Sequence, residues 1–168
     1  MPTLFWDASG LAKRYALETG SPTALVIFAQ AYKSPMVTTL WGYTETYALL
    51  LRKCNSGFLS TTIFTAATTM LQHDMLASSL FRLLIVTEAD TLSSITYIQR
   101  YSLNSTDAAL LATLLRYASV TGETCVLIAA DSRFCRSALA EGLEVLNPEA
   151  MSVDAVPGYF ADLNRSKS

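Results

Sequence analysis

Residues 125–130, CVLIAA, form an unbroken apolar run that ends on Asp131. A strand with one wet face alternates polar and apolar residues, whereas a strand that is apolar throughout is covered on both sides. That is the situation inside a parallel sheet between two layers of helix. The rest of the chain alternates to match. Short β-favouring runs at Thr3–Trp6, Met36–Thr39, Leu83–Val86 and Glu144–Leu146 are separated by stretches with helical spacing. Those stretches are LAKRYALE after Asp-Ala-Ser-Gly, then Thr23–Tyr32, Leu40–Lys53, the threonine-rich Phe58–Ser79, Glu88–Tyr101, Asp107–Ser119, and a helix from Asp131 to Ala140. Strands joined through helices require right-handed crossovers. The expected fold is therefore α/β: a three-layer α/β/α sandwich on a central, mostly parallel, five-stranded sheet. Residues 1–150 are expected to form a single domain, with 151–168 as a C-terminal tail, loosely held from Asp154 onwards.

A chain of 168 residues, 51% of them hydrophobic, buries a substantial core without disulfides or a structural metal. Its mean hydropathy is positive at +0.32. Yet the most apolar stretch, Leu76–Val86, contains Arg82 and falls short of the roughly 20 residues a spanning helix needs. No membrane association is expected. The opening MPTLFWD lacks a basic region followed by an apolar run, so no signal peptide is expected and the localisation is read as cytoplasmic. Cys54, Cys125 and Cys135 match no metal-ligand spacing and His73 lies far from them, which argues against zinc. The formal charge of −2 lacks the basic footprint of a typical DNA-binding domain. Four carboxylates gathered in one site would themselves account for a charge of that sign, so net charge does not settle the question.

Four acids stand out: Asp7, Glu45, Asp107 and Asp131 each lie where a strand ends or a helix begins. Asp7 and Asp131 fall beyond the carboxyl ends of strands, where open α/β sheets bind their ligands. Carboxylates brought together raise one another's pKa unless a cation holds them ionised. An all-oxygen set suits Mg²⁺ or Mn²⁺. Such a cluster points to metal-assisted phosphodiester chemistry, in which metal coordination replaces a histidine base.

The segments around these acids resemble the PIN-domain family, and within it the VapC-type toxin ribonucleases. FWDASGLAKRYALETGS at 5–21 is similar to that family's opening strand, first catalytic Asp and following helix. TTLWGYTETYALLLRK at 38–53 is similar to the segment carrying the catalytic Glu, and LNSTDAALLATLLRYA at 103–118 to the helix start that supplies the third acid. VLIAADSRFCRSALAEGLEVLNP at 126–148 is similar to the closing strand, Asp, helix and strand. Ala129 stands where the family often has Ser or Thr, and Gly10 where Ala is common. The resemblance implies a metal-dependent endoribonuclease with Asp7, Glu45, Asp107 and Asp131 as catalytic metal ligands. It also implies an RNA substrate, a cognate antitoxin that inserts a segment near the acids, and a homodimer.

Each residue has a plainer use as well. Asp7, Asp107 and Asp131 are placed as helix caps, a role worth about 1 kcal/mol. Glu45 is harder to explain that way, because neither Trp41 nor Leu49, its i±4 neighbours, supplies a cation. Ser9, Lys13, Arg14 and Arg133 are candidate phosphate contacts or else solvated helix positions. Trp6, Trp41 and Tyr43 are candidates for stacking on unpaired bases or for core packing. Two other functions fit parts of the pattern. One is a PIN-like scaffold without activity. The other is a metal-dependent adhesion-type binding module, suggested by Asp-Ala-Ser-Gly, although Leu11 stands where that motif needs a second Ser.

Overall fold

The structure, a computed structural model, describes residues 1–165. Five strands form the sheet: β1 (Thr3–Trp6), β2 (Met36–Thr39), β3 (Phe81–Leu84), β4 (Cys125–Ile128) and β5 (Glu144–Leu146). Eight α-helices connect and flank them: α1 (Ala8–Tyr15), α2 (Ser21–Phe28), α3 (Leu40–Asn55), α4 (Thr61–Gln72), α5 (Glu88–Tyr101), α6 (Ser105–Thr121), α7 (Ser132–Ala140) and α8 (Ala155–Arg165). The strand order is β3-β2-β1-β4-β5 and every pair is parallel. Among the described residues no helix is long and apolar enough to cross a membrane.

The period of two along each strand divides the core. Leu4, Trp6, Met36, Val126 and Ile128 point into one cluster with residues of α1, α2, α3, α4 and α8. Phe5, Val37, Cys125, Leu127 and Ala129 point into the other, with α6 and α7. Both sides of β1 and β4 are thus covered, which is why CVLI is apolar at every position. The chain leaves β1 toward β2 and β3 on one side and returns to β4 and β5 on the other. The sheet therefore has its topological switch point between β1 and β4, where the connections diverge and open a crevice.

Close approach of α1 to the sheet depends on Gly10. A Cβ there would lie 2.5 Å from the Ile128 carbonyl oxygen and 3.1 Å from its carbon, both backbone atoms that cannot swing aside. Gly10→Ala is expected to destabilise the protein by about 1–3 kcal/mol through this overpacking, measured by denaturant unfolding. An unchanged midpoint would show that α1 has room to lift.

Several elements differ from expectation. The strand expected at Leu83–Val86 is β3, two residues earlier. As an edge strand it needs apolar cover at fewer positions, and Ile85 is left 77% exposed. The helix expected over Phe58–Ser79 starts only after the Ser60 cap and passes into a π-helical turn at His73–Ala77. Its threonines are accommodated by hydroxyls that bond back to the preceding turn, as Thr65 to Thr61, Thr68 to Phe64 and Thr69 to Thr65 do. The second helix ends at Phe28 and continues as a 3₁₀ turn, Ala29–Tyr32. The largest correction is at the end of the chain. The expected loose tail contains α8, whose Val156 and Phe160 are 0% and 6% exposed and join the core. Val156, Tyr159, Phe160 and Leu163 carry helical spacing, and Pro157 sits in the first turn, where its missing N–H breaks no helical bond. Residues 166–168 of that expected tail lie outside the described residues.

Candidate active site

β1 ends at Trp6, and the Asp7 N–H is donated to the Ile128 carbonyl of β4 at 3.0 Å, which pins Asp7 at the switch point. Its side chain caps α1, with Oδ2 accepting from Ser9 N at 2.9 Å and Ser9 Oγ at 2.6 Å. The same Ser9 Oγ accepts the Ala130 N–H at 2.9 Å, so one hydroxyl ties the end of β4 to Asp7. Asp131, just after β4, caps α7 by accepting from Phe134 N at 2.8 Å. Capping and site membership are compatible in both residues, because a cap uses only part of a carboxylate's acceptor capacity.

Asp107 departs from expectation. α6 begins at Ser105 and is capped by Asn104, so Asp107 is the third helical residue rather than the cap. Asn104 Oδ1 accepts the Asp107 N–H at 2.8 Å, while Asn104 Nδ2 donates to Asp107 Oδ2 at 2.8 Å. The two side chains hold each other in one orientation. Glu45 lies in the second turn of α3, a helix capped by Thr39 Oγ1 from the end of β2. Gly42 lets this helix start against the sheet, since a Cβ there would lie 2.4 Å from Thr38 Oγ1.

These four elements bring all four acids to one cavity of about 360 Å³, lined also by Ser9, Ala48, Leu49, Arg52 and Asn104. Asp7 is buried, Glu45 and Asp107 are half-buried, and Asp131 is exposed at the rim. Burial pushes the Asp7 carboxyl up, against the pull of its hydrogen bonds from Ser9 and Ala8, and the Asp131 charge raises it further. Glu45 is pushed up to about 7, first by burial and then by Asp7 and Asp107, with Arg52 opposing. Asp107 is pushed up to about 6 by burial and by Asp7 and Asp131, with Asn104 and Arg133 opposing. The acids therefore act on one another electrostatically across the cavity.

Such a donor set, all oxygen and mutually repelling, fits a hard divalent cation. As the side chains stand, no group of three or more His, Cys, Asp or Glu among the described residues is gathered tightly enough to hold one. Loading would have to draw the carboxylates inward.

The other sequence candidates are placed differently. Ser9 lines the cavity. Lys13 does not; its buried Nζ is held by Thr19 O at 2.9 Å, Glu149 at 2.5 Å and Glu18 at 3.4 Å. It lines instead an adjoining cavity of about 270 Å³ that shares Ser9, Leu49 and Asp131 with the first. Arg14 lies over the Phe28 ring, 4.5 Å from its centre, and 4.0 Å from Asp74. Arg133 donates to the Ser102 carbonyl at 2.8 Å, bracing the link between α5 and α6. Trp6 is fully buried and packs edge-on against Phe28, so it offers no stacking face, and Tyr43 packs against the core. Trp41 remains 42% exposed. Leu11, the residue that an adhesion-type motif would need as Ser, is fully buried in the core. Sequence reasoning missed Arg52 and Asn104. The signal for Arg52 was its i+7 spacing from Glu45, and for Asn104 the Asn-Ser-Thr start of α6.

The raised carboxyls set a pH dependence. Unfolded, Asp and Glu titrate near 3.9 and 4.3, below the folded values of about 6 for Asp107 and about 7 for Glu45. Between these limits the folded state binds more protons, so metal-free stability falls as pH rises from about 4 to 8. Asp90, lowered to about 2 because its bonds from Arg116 and Thr87 outweigh burial, acts oppositely and costs stability only below about pH 4. Melting in EDTA should therefore occur at a lower temperature at pH 8 than at pH 5.5, with Mn²⁺ restoring it at pH 8. A higher melting temperature at pH 8 in EDTA would contradict the repulsion.

No family model matches the chain, and no curated protein matches it by sequence. Solved structures do match. Mycobacterium tuberculosis VapC20, a sarcin-ricin loop cleaving toxin, superposes with a TM-score of 0.60 at 22% identity, over 83% of this chain and 95% of that one. PAE2754 from Pyrobaculum aerophilum superposes with a TM-score of 0.56 at 18% identity, over 96% of each chain. The family resemblance is thus matched at the level of the fold: the chain has the PIN-like α/β/α fold seen in the VapC toxin structure.

Proposed function

We propose that this protein is a metal-dependent endoribonuclease and the toxin of a toxin-antitoxin pair. One observation carries the reading: four carboxylates, contributed by the ends of β1 and β4 and by α3 and α6, line a single cavity at the switch point. The fold shared with an RNA-cleaving toxin agrees with it.

Asp7, Glu45 and Asp107 would hold one or two Mg²⁺ or Mn²⁺ ions, with Asp131 ligating from the rim. Such an ion, when bound, supplies an activated water and neutralises charge developing on the phosphate. The protein's own part is positioning. Ser9 keeps the Asp7 carboxylate turned to the cavity and ties it to the end of β4. Asn104 orients Asp107. The Asp131 cap leaves acceptor capacity at the mouth, where substrate enters. Trp41 precedes Glu45 by one helical turn and offers an exposed ring to an unpaired base. His73, beside Asp74 at the end of α4, has no place in this chemistry.

The partners implied are a structured RNA, a cognate antitoxin that covers the acidic cavity, and a second copy of the chain, in the cytoplasm. The test is cleavage of labelled structured RNAs, including a sarcin-ricin stem-loop, with Mn²⁺ or Mg²⁺ and with EDTA. Metal-dependent cutting is expected, and a folded protein that shows none with any of them would overturn the reading. The presence of all four acids in one cavity favours an enzyme over an inactive scaffold of the same fold.

A further inference from the structure

We propose that Arg52 grips a substrate phosphate neighbouring the scissile one, so that the RNA strand runs along the second half of α3. The inference rests on the ribonuclease reading and adds a residue to it. Glu45, Ala48, Leu49 and Arg52 line the cavity at i, i+3, i+4 and i+7, a single stripe of the helix. From Glu45 to Arg52 the helix rises about 10 Å, and long helical side chains lean back toward the N-terminus, which carries the guanidinium toward the acids.

Two features separate Arg52 from an ordinary solvated cation. Among the described residues lining the cavity it is the one cation, and it forms no ion pair. Its neighbour Lys53, by contrast, is paired with Glu18. A role as charge complement to the helix C-terminus is already available from Lys53, in the same last turn. Arg52 lines the same cavity as Glu45 without pairing with it. When a divalent cation takes the Glu45 charge, Arg52 is left beside the cavity without an anion, and a phosphate is the anion the reaction brings. The planar fork of a guanidinium matches two phosphate oxygens at once. The adjoining cavity meets this one at Ser9, Leu49 and Asp131, and its cations, Lys13 and Lys53, are neutralised by Glu18 and Glu149 and so do not compete for phosphate.

The test compares wild type, Arg52→Gln and Arg52→Lys on an RNA that wild type cuts with Mn²⁺, recording kcat and KM over a range of salt. For Arg52→Gln we expect KM to rise about tenfold or more, the scale of one charge-assisted hydrogen-bonded contact, with kcat changed far less. The slope of log KM against log salt should shrink by about 0.7, one phosphate contact on a single strand. Arg52→Lys should keep the wild-type salt slope, a readout that a packing role would not move. If wild type cuts and Arg52→Gln matches it in KM and slope, or loses only kcat, the Arg52 contact is overturned while the ribonuclease stands. If wild type shows no metal-dependent cutting, both fall together.

Discussion

Asp7→Asn should reduce metal-dependent RNA cleavage by at least about 100-fold, since even residues that merely orient metal ligands cost about 10–100-fold when changed. The same variant should be at least as stable as wild type in EDTA at pH 8. Both outcomes follow from the position of Asp7. It is the buried member of the cluster, and its charge raises both Glu45 and Asp107. Asparagine caps a helix as well as aspartate does, and its amide oxygen can still accept the two Ser9 bonds. What it removes is one negative charge and the ability to ligate a cation. The substitution therefore separates function from fold: cleavage is lost while melting temperature holds or rises. Retained cleavage would remove Asp7 from the site, and a large drop in stability would mean that its charge supports the fold.

Trp6→Ala should produce the largest loss of stability, about 3–5 kcal/mol, out of the roughly 5–15 kcal/mol available to a domain. For a chain of this length that lowers the melting temperature by about 10 °C. Trp6 is 0% exposed on β1, one residue before Asp7, and its ring meets Phe28 at 5.6 Å between centroids. Its removal would leave a cavity beneath α2 that the surrounding strand cannot close. The indole Nε1 is buried without a hydrogen-bond partner, a desolvation cost already carried by the wild type. Trp6→Phe should consequently cost much less than Trp6→Ala, because relief of that N–H offsets part of the lost packing. Thermal or urea unfolding of both variants checks the ranking, and equal losses would show that the N–H is satisfied.

The fold was legible where one periodicity ruled. CVLI could only be a doubly covered strand, and the alternation of short strands with helices left little choice but a parallel sheet. The candidate site was legible because Asp7 and Asp131 follow strands closely, and Glu45 had no local cation to explain it. What was hidden depended on tertiary contact. Val156 and Phe160 have helical spacing, but Pro157 and Gly158 between them read as breakers until the first-turn position of the proline is known. Leu83–Val86 was the more apolar window, yet parallel pairing with β2 selected Phe81–Leu84. Lys13 and Arg14 looked like phosphate contacts because they follow Asp7. Lys13 is held by Glu149, 136 residues away, as well as by nearby Glu18 and Thr19, and Arg14 lies by Asp74, 60 residues away, separations no local pattern spans. Arg52 was missed because seven residues, two helical turns, separate it from Glu45.

Gly10 shows how a departure from the resembling family acquires a physical reason. The Ile128 carbonyl leaves no space for the Ala that is common there. Ala129, where the family often carries a hydroxyl, is fully buried in the core cluster beneath α6 and α7. Here Ser9 Oγ supplies the hydroxyl that joins the end of β4 to Asp7.

Whether the four carboxylates from separate elements form one cation site is decided by anomalous diffraction from crystals grown with Mn²⁺ at pH 8. A manganese peak enclosed by Asp7, Glu45, Asp107 and Asp131, absent in Asp7→Asn crystals, is expected. Manganese bound elsewhere, or a cavity that stays empty at millimolar Mn²⁺ with the four acids apart, would contradict it.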